Sequence, residues 1–258
     1  MPELPDLTVF SNNIDKRLNG QKMTYIIAHQ TKRLNVTAQT LNNELRNATL
    51  SAVNRAGKTI HLVFSNQQVL EVHLMIKGGF KIVSDDVKVK YKILSLFFDN
   101  KKNLIVYDSQ DLVRLTLNPK PVDVPDALDL TLDYLMTQLP ERKSKKIKAF
   151  LTDQTIIRGI GNAYADEILW ESRIAPESLC GKIPESAVNA LFNAIPSVLT
   201  DAIEQIQMAK PHLLNGEYRH FLKIHNHNNR VSPTGKIIYC QTIGSKITYY
   251  SDDQVCYR

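Results

Sequence analysis

QTIIRGIGNAYADEIL, residues 154–169, is the stretch from which the fold of this 258-residue chain is best read. Gly159 and Gly161 interrupt two helical patterns directly before Asn162, and Ala163, Ile168 and Leu169 then recur among acids at helical spacing. A glycine turn ahead of a helix lets backbone N–H groups and the positive helix end face an anion. Asn162 is placed to cap that helix and to donate to a phosphate oxygen. The same glycines would also satisfy the corner of a plain helical bundle. Just upstream, RKSKKIK (142–148) holds five basic residues in seven. A charge run is ordinarily a solvated face; beside such a turn it equally suits a polyanion.

Working outward, LNPKPVDVPDALDL (117–130) carries three prolines and reads as a linker. Before it the chain is β-rich after one helix. Leu7, Phe10, Ile14 and Leu18 give Pro5–Leu18 a helical spacing, and strands are predicted at Thr59–Phe64, Val69–Leu74, Phe80–Val83, Val89–Phe98 and Asn103–Tyr107. DNKKN (99–103) is a hairpin turn between the last two. After the linker, helices are predicted at Leu132–Leu139, Ser144–Thr152, Asn162–Ser172 and Glu185–Met208, the last kinked by Pro196. The tail returns to strands: SPTGK (232–236) is read as a tight turn flanked by Lys236–Cys240 and Lys246–Tyr250 as a hairpin. The class is α+β, divided as 1–118, a linker 119–131, 132–222 and a tail 223–258.

Composition narrows the partners. Hydrophobic residues at 43% support a real core, and Lys plus Arg exceed Asp plus Glu by 32 to 26. That excess favours nucleic acid or a membrane surface, and suits an ordinary basic protein as well. No run approaches the roughly 18 apolar residues of a membrane span. MPELPDLTVF has two acidic groups and no basic n-region, unlike a secretory leader. Three scattered cysteines, Cys180, Cys240 and Cys256, make no disulfide framework and fit a reducing cytoplasm.

The N-terminus carries possible chemistry. With Met1 removed, the Pro2 nitrogen is a secondary amine with a pKa near 8, so a useful fraction is neutral at pH 7. Its attack on a sugar C1′ gives an iminium that is cationic at every pH, an electron sink for β-elimination. Glu3 is placed to move a proton to the sugar ring oxygen. The plainer reading is a proline that starts a helix whose positive end Glu3 and Asp6 favour.

Together these segments resemble the formamidopyrimidine-DNA glycosylase and endonuclease VIII family over nearly the whole chain. MPELPD (1–6) is similar to that family's N-terminus, GKTIHLVF (57–64) to its strand with an essential lysine, HLMIKGGFKI (73–82) to its HLGMSG stretch, and Asp153–Pro176 to its helix–two-turns–helix element. The resemblance implies an N-terminal β-sandwich with a leading helix, a helix–two-turns–helix domain and a C-terminal β-hairpin finger. It implies a bifunctional glycosylase and abasic-site lyase acting on oxidised bases in double-stranded DNA, as a cytoplasmic, nucleoid-associated monomer without a cofactor. Pro2 would be the Schiff-base nucleophile and Glu3 the proton donor. Lys58, His73, Gly161 and Asn162 would grip phosphates around a flipped nucleotide, and Ile76 would wedge into the vacated stack.

Three departures qualify this. The family's arginine–phenylalanine wedge should fall near YDSQDLVRL (107–115); neither residue is in register, leaving Leu112 or Val113 as blunter substitutes. The stretch 207–223 is short beside the loop that caps 8-oxoguanine, which leans towards pyrimidine lesions. The tail lacks the two C-x-x-C pairs of a zinc finger; His225, His227, Cys240 and Cys256 fit no ordinary zinc spacing, so no metal is expected and the finger is read as zincless. Lys246 then falls where the finger's DNA-contacting arginine would lie. The rival readings are a family member that binds damaged DNA with weak or no excision, and a structural helix–turn–helix DNA binder.

Overall fold

The computed structural model describes residues 1–84 and 87–258. The chain divides into two compact units, the first comprising 1–122 with 206–217 and the second 123–205 with 218–258. Ile206–Glu217, assigned from sequence to the helical region, thus groups with the N-terminal unit.

The first unit begins with α1 (Leu4–Leu18). The Glu3 N–H donates to Asp6 Oδ2 at 2.9 Å, tying down a donor that a helix start leaves orphaned. Leu4, Leu7, Phe10, Ile14 and Leu18 are buried along one side, the stripe that the spacing predicts. Two antiparallel four-stranded sheets share one apolar core with this helix. One runs in the order β1 (Met23–Ala28), β6 (Lys92–Phe98), β7 (Asn103–Tyr107), β5 (Gly79–Val83). The other runs β2 (Leu50–Ala56), β3 (Thr59–Phe64), β4 (Val69–His73), β8 (Arg114–Leu117). Sequence patterning finds β3 and β7 residue for residue and misses β1, β2, β8 and α2 (Ala38–Leu45). The strand begun at Val89 starts only at Lys92. Strand β1 has buried residues Met23 and Ile26 three apart, not in period two, because a register shift lies between Met23 and Tyr25.

Close approach at Gly78 shapes the turn after β4. A Cβ there would lie 2.3 Å from the Leu74 carbonyl oxygen and 2.6 Å from Val113 Cγ2. Gly79 similarly admits Asn215, whose Cβ would be 2.6 Å away, so the 213–217 segment lies against the strand. The Phe80 N–H donates to the Leu214 carbonyl at 3.0 Å and Asn13 Nδ2 to the Leu213 carbonyl at 2.9 Å.

The second unit holds α3 (Leu132–Glu141), α4 (Ile147–Leu151), α5 (Asn162–Glu171), most of α6 (Glu185–Ala209) and the hairpin β9 (Ile238–Ile243) and β10 (Lys246–Ser251). Helix α6 passes through Pro196 as one element. The expected helix Ser144–Thr152 shrinks to five residues because the preceding chain pairs elsewhere: the Ile147 N–H donates to the Ser178 carbonyl at 2.8 Å, and Lys146 bridges Leu179. The hairpin turn is Gly244–Ser245, with Gly244 at φ +63°, rather than SPTGK. Ser232–Lys236 closes a turn on itself, the Ser232 N–H donating to the Lys236 carbonyl at 2.7 Å.

Acids on α5 that look solvated in sequence are buried. Asp166 is fully enclosed, with Lys148 Nζ at 2.7 Å, His225 Nδ1 at 2.7 Å and the Tyr249 N–H at 3.0 Å. Glu167 accepts the N–H groups of Lys223, Ile224 and His225 at 2.9, 2.8 and 2.6 Å, while burial pushes its pKa up. Asp253 gathers Ser232, Thr234, Ser251 and Trp170 at 3.0, 2.6, 2.8 and 3.2 Å, and the hydroxyl donors hold its carboxyl far below the usual range. These carboxylates tether the tail to α5. Asp166→Ala strands the Lys148 ammonium away from water and is expected to cost about 3–5 kcal/mol in urea unfolding. A loss below about 1 kcal/mol would show that the pair is not a structural hub.

Candidate nucleic-acid interface and catalytic site

In the first unit, Pro2 is buried and Glu3 is 5% exposed, both held at the entry to α1. Pro2 lines a cleft of about 400 Å³ with Ile76, Lys77, Tyr107, Asn215 and Glu217. The terminal ammonium on Met1 is ion-paired with Glu217 in the same cleft. Ile76 stands 51% exposed on the turn that Gly78 makes possible, an apolar tip in water.

Lys58 occupies the two-residue turn Gly57–Lys58 between β2 and β3, Gly57 taking φ +58°. Arg55 braces this turn against α1, with Nε donating to Thr8 Oγ1 at 2.8 Å and one terminal nitrogen to the Gly57 carbonyl at 3.3 Å. His73 ends β4 opposite Arg114. Burial, then the Arg114 and Lys58 charges, lower its pKa and so favour the neutral imidazole. Its Nδ1 accepts the Met75 N–H at 3.1 Å, so the ring proton of the neutral form sits on Nε2 as a donor. Sequence reading missed Arg55, Tyr107, Arg114 and Glu217, because nothing local marks them; each matters through a contact made by folding.

The segment where the wedge is expected is held by Asp108. Its carboxylate accepts the N–H groups of Gln110, Leu112 and Val113 at 3.0, 2.7 and 3.1 Å. Val113 is 2% exposed and belongs to the core, so it is withdrawn as a wedge candidate; Leu112 is half-buried.

In the second unit, Gln154 stitches the glycine turn. Its Oε1 accepts the Gly159 N–H at 3.0 Å and its Nε2 donates to the Ile160 carbonyl at 2.8 Å. Gly159 takes φ +103°, which favours glycine. Gly161 is the N-cap of α5, and Asn162, expected there, is the first helical residue. Gly161 supplies the extended N-cap backbone (φ −115°, ψ −160°), and the Asn162 side chain is turned to the hairpin instead, its Nδ2 donating to the Ile247 carbonyl at 2.8 Å. Lys246 Nζ donates to Thr152 Oγ1 at 2.5 Å, and Lys148 Nζ to Thr248 Oγ1 at 2.7 Å. Gly161, Asn162 and Lys246 therefore converge where β10 begins.

The basic run contributes less free charge than its composition suggests. Arg142 pairs with Glu141, Lys145 with Asp153, Lys146 with Glu177 and the buried Lys148 with Asp166. The hydrogen bond from Lys145 leads those that hold the Asp153 carboxyl at about 2. The zinc set does not assemble: His225 is bonded to Asp166, Cys240 lies opposite Tyr249 in the hairpin, and the described residues contain no group of three metal-ligating side chains. Cys180 is buried, its thiol pushed up to about 11 by that burial.

Known proteins match this arrangement in order. Residues 1–115 match the formamidopyrimidine-DNA glycosylase N-terminal domain and residues 121–210 the formamidopyrimidine-DNA glycosylase H2TH domain. The formamidopyrimidine-DNA glycosylase of Lactiplantibacillus plantarum is 32% identical over 218 residues, 79% of this chain and 78% of that protein. The Mycoplasma genitalium protein of the same name is 28% identical over 269 residues, covering 97% and 94%. A Lactococcus lactis formamidopyrimidine-DNA glycosylase, non-covalently bound to DNA containing an abasic site, shares the fold at a TM-score of 0.86 and 23% identity, over 98% of this chain and 99% of that one. Both halves of the architecture being matched in sequence, and the whole in fold, the chain belongs to the formamidopyrimidine-DNA glycosylase family.

Proposed function

We propose that this chain, once Met1 is removed, excises oxidised bases from duplex DNA and cleaves the strand at the resulting abasic site, with the Pro2 nitrogen as nucleophile. It is a DNA glycosylase of base excision repair, with the lyase activity typical of its family. The observation that carries the chemical assignment is the burial of Pro2 and Glu3 at the head of α1, with the terminal ammonium in a cleft beside Tyr107 and Ile76. The neutral amine attacks C1′ and the base departs. Proton transfer from the nitrogen and delivery of a proton by Glu3 to the ring oxygen open the sugar and leave an iminium. Loss of a C2′ proton then expels the 3′ phosphate by β-elimination.

Lys58 and the Nε2–H of His73 serve as phosphate donors in the first unit; Gly161, Asn162 and Lys246 do so in the second. Ile76 fills the gap left by the flipped nucleotide. No helix among the described residues is long and apolar enough to cross a membrane. The assignment to the cytoplasm, on the nucleoid, draws on the bacterial relatives and on duplex DNA as the proposed substrate. The rival reading, damaged-DNA binding with little excision, draws on the buried Val113 and the absent arginine–phenylalanine pair.

Three measurements test this. In single-turnover assays, Glu3→Gln should slow excision of an oxidised base on the order of 10²-fold or more, the usual worth of a positioned proton donor, while cutting a preformed abasic site far less. Equal losses would remove Glu3 from sugar protonation. A chain that retains Met1 should do neither reaction, whereas Pro2→Gly, which keeps a terminal amine, should be slowed rather than dead. Activity in the Met1-retaining chain would refute the nucleophile, and a processed chain that binds lesion DNA without excision would favour the rival reading. Lys246→Ala should weaken binding to lesion and plain duplex alike and lower the log–log salt slope by about 0.9; an unchanged slope would place Lys246 off the phosphate track.

A further inference from the structure

We propose that Glu217, at the end of the short segment after α6, positions the N-terminal amine and takes up its proton as that amine attacks. The proposal rests on Pro2 being the nucleophile. Glu217 is ion-paired with the terminal ammonium, and the two side chains are 35% and 38% exposed, at the rim of the cleft rather than sealed from solvent. It is the one carboxylate among the described residues that line this cleft.

The segment carrying it is held firmly. Leu214 is 6% exposed within the core, and its carbonyl and that of Leu213 accept from Phe80 and Asn13. Asn215 lies where a side chain at residue 79 would collide with it. Gly216 takes φ +75°, a left-handed step that returns the chain towards the terminus.

Loss of Met1 moves the terminal ammonium to the Pro2 nitrogen, three bonds along the backbone and about 3 Å away. A glutamate side chain spans that shift by rotation about its own bonds. The other charged or titratable groups facing this point are Lys77 and Tyr107 in the cleft, and Glu3 and Asp6 at the head of α1. Burial pushes the Tyr107 phenol up, so it stays protonated and neutral. Lys77 opposes the ammonium. Asp6 accepts from the Glu3 N–H, and Glu3 is assigned to the sugar oxygen.

The step balances on an abasic aldehyde. The Pro2 ammonium gives one proton to Glu217, and its lone pair forms the N–C1′ bond as the carbonyl pair moves to oxygen. That oxygen is protonated by solvent. The nitrogen's second proton is lost as the iminium forms, and the Glu217 proton returns to the departing hydroxyl, which leaves as water. The net reaction is ammonium plus aldehyde to iminium plus water, with one proton released to solvent and one taken from it.

The test is the rate of borohydride trapping on an abasic-site duplex against pH, with the full chain processed to Pro2. A neighbouring carboxylate favours the charged amine, so Glu217→Gln should move the acid limb to lower pH, by about one unit, and slow the plateau several-fold. Glu217→Asp should keep the limb near its wild-type position. Far-ultraviolet circular dichroism and the melting temperature should match wild type, since the side chain lies at a rim. A Glu217→Gln profile with an unmoved limb, whether or not the plateau falls, would overturn the proposal while leaving Pro2 as nucleophile. Absence of any trapped adduct in the wild-type processed chain would instead overturn the nucleophile reading on which it rests.

Discussion

The hydrogen bond from the Glu3 N–H to the buried Asp6 carboxylate is the contact on which the proposed chemistry depends most. A proline nitrogen is an amine only at a chain terminus, and termini ordinarily fray. Here the terminus enters a helix whose first turn is pinned by Asp6 and whose apolar stripe lies in the core of the unit. Cooperative packing of α1 therefore fixes residues 2 and 3 to a point in the fold. The cleft is assembled around that point: Gly78 and Gly79 allow one turn to project Ile76 and one segment to bring Glu217 alongside.

The second unit solves a different problem with the same means. Without paired cysteines its tail needs another anchor, and buried carboxylates provide one. Asp166 and Glu167 on α5 hold the chain at 223–225 and the β10 strand, and Asp253 collects four donors, including the Trp170 indole. A buried charge is costly unless it is met by hydrogen bonds, so each carboxylate enforces a single arrangement of its donors. The same network draws Asn162 to Ile247 and sets Lys246 beside Thr152, so the groups proposed to face phosphate are organised by the tether.

Much of this was legible in the sequence, and what was not has physical causes. Strand β3 follows from alternation, β7 from a short apolar run bounded by a turn, helix α6 from its length, and the GIGN turn from its glycines. Gly161 rather than Asn162 caps α5 because the extended N-cap backbone falls at residue 161 and Asn162 is already helical, a one-residue boundary that the glycine pattern does not resolve. The RKSKKIK run reads as a basic face only while its partners Asp153, Asp166 and Glu177, 8 to 31 residues away, are unknown. Val113 looks available as a wedge until Gly78 brings the β4 turn against it. Arg55 and Glu217 carry no local signal, since their meaning lies in contacts with α1 and with the terminus.

The most direct measurement is the chemical location of the trapped sugar. After borohydride reduction on an abasic-site duplex and proteolysis, tandem mass spectrometry should place the deoxyribose remnant on the Pro2 nitrogen of the N-terminal peptide. A remnant on Lys58 Nζ, or on any internal lysine, would contradict the account.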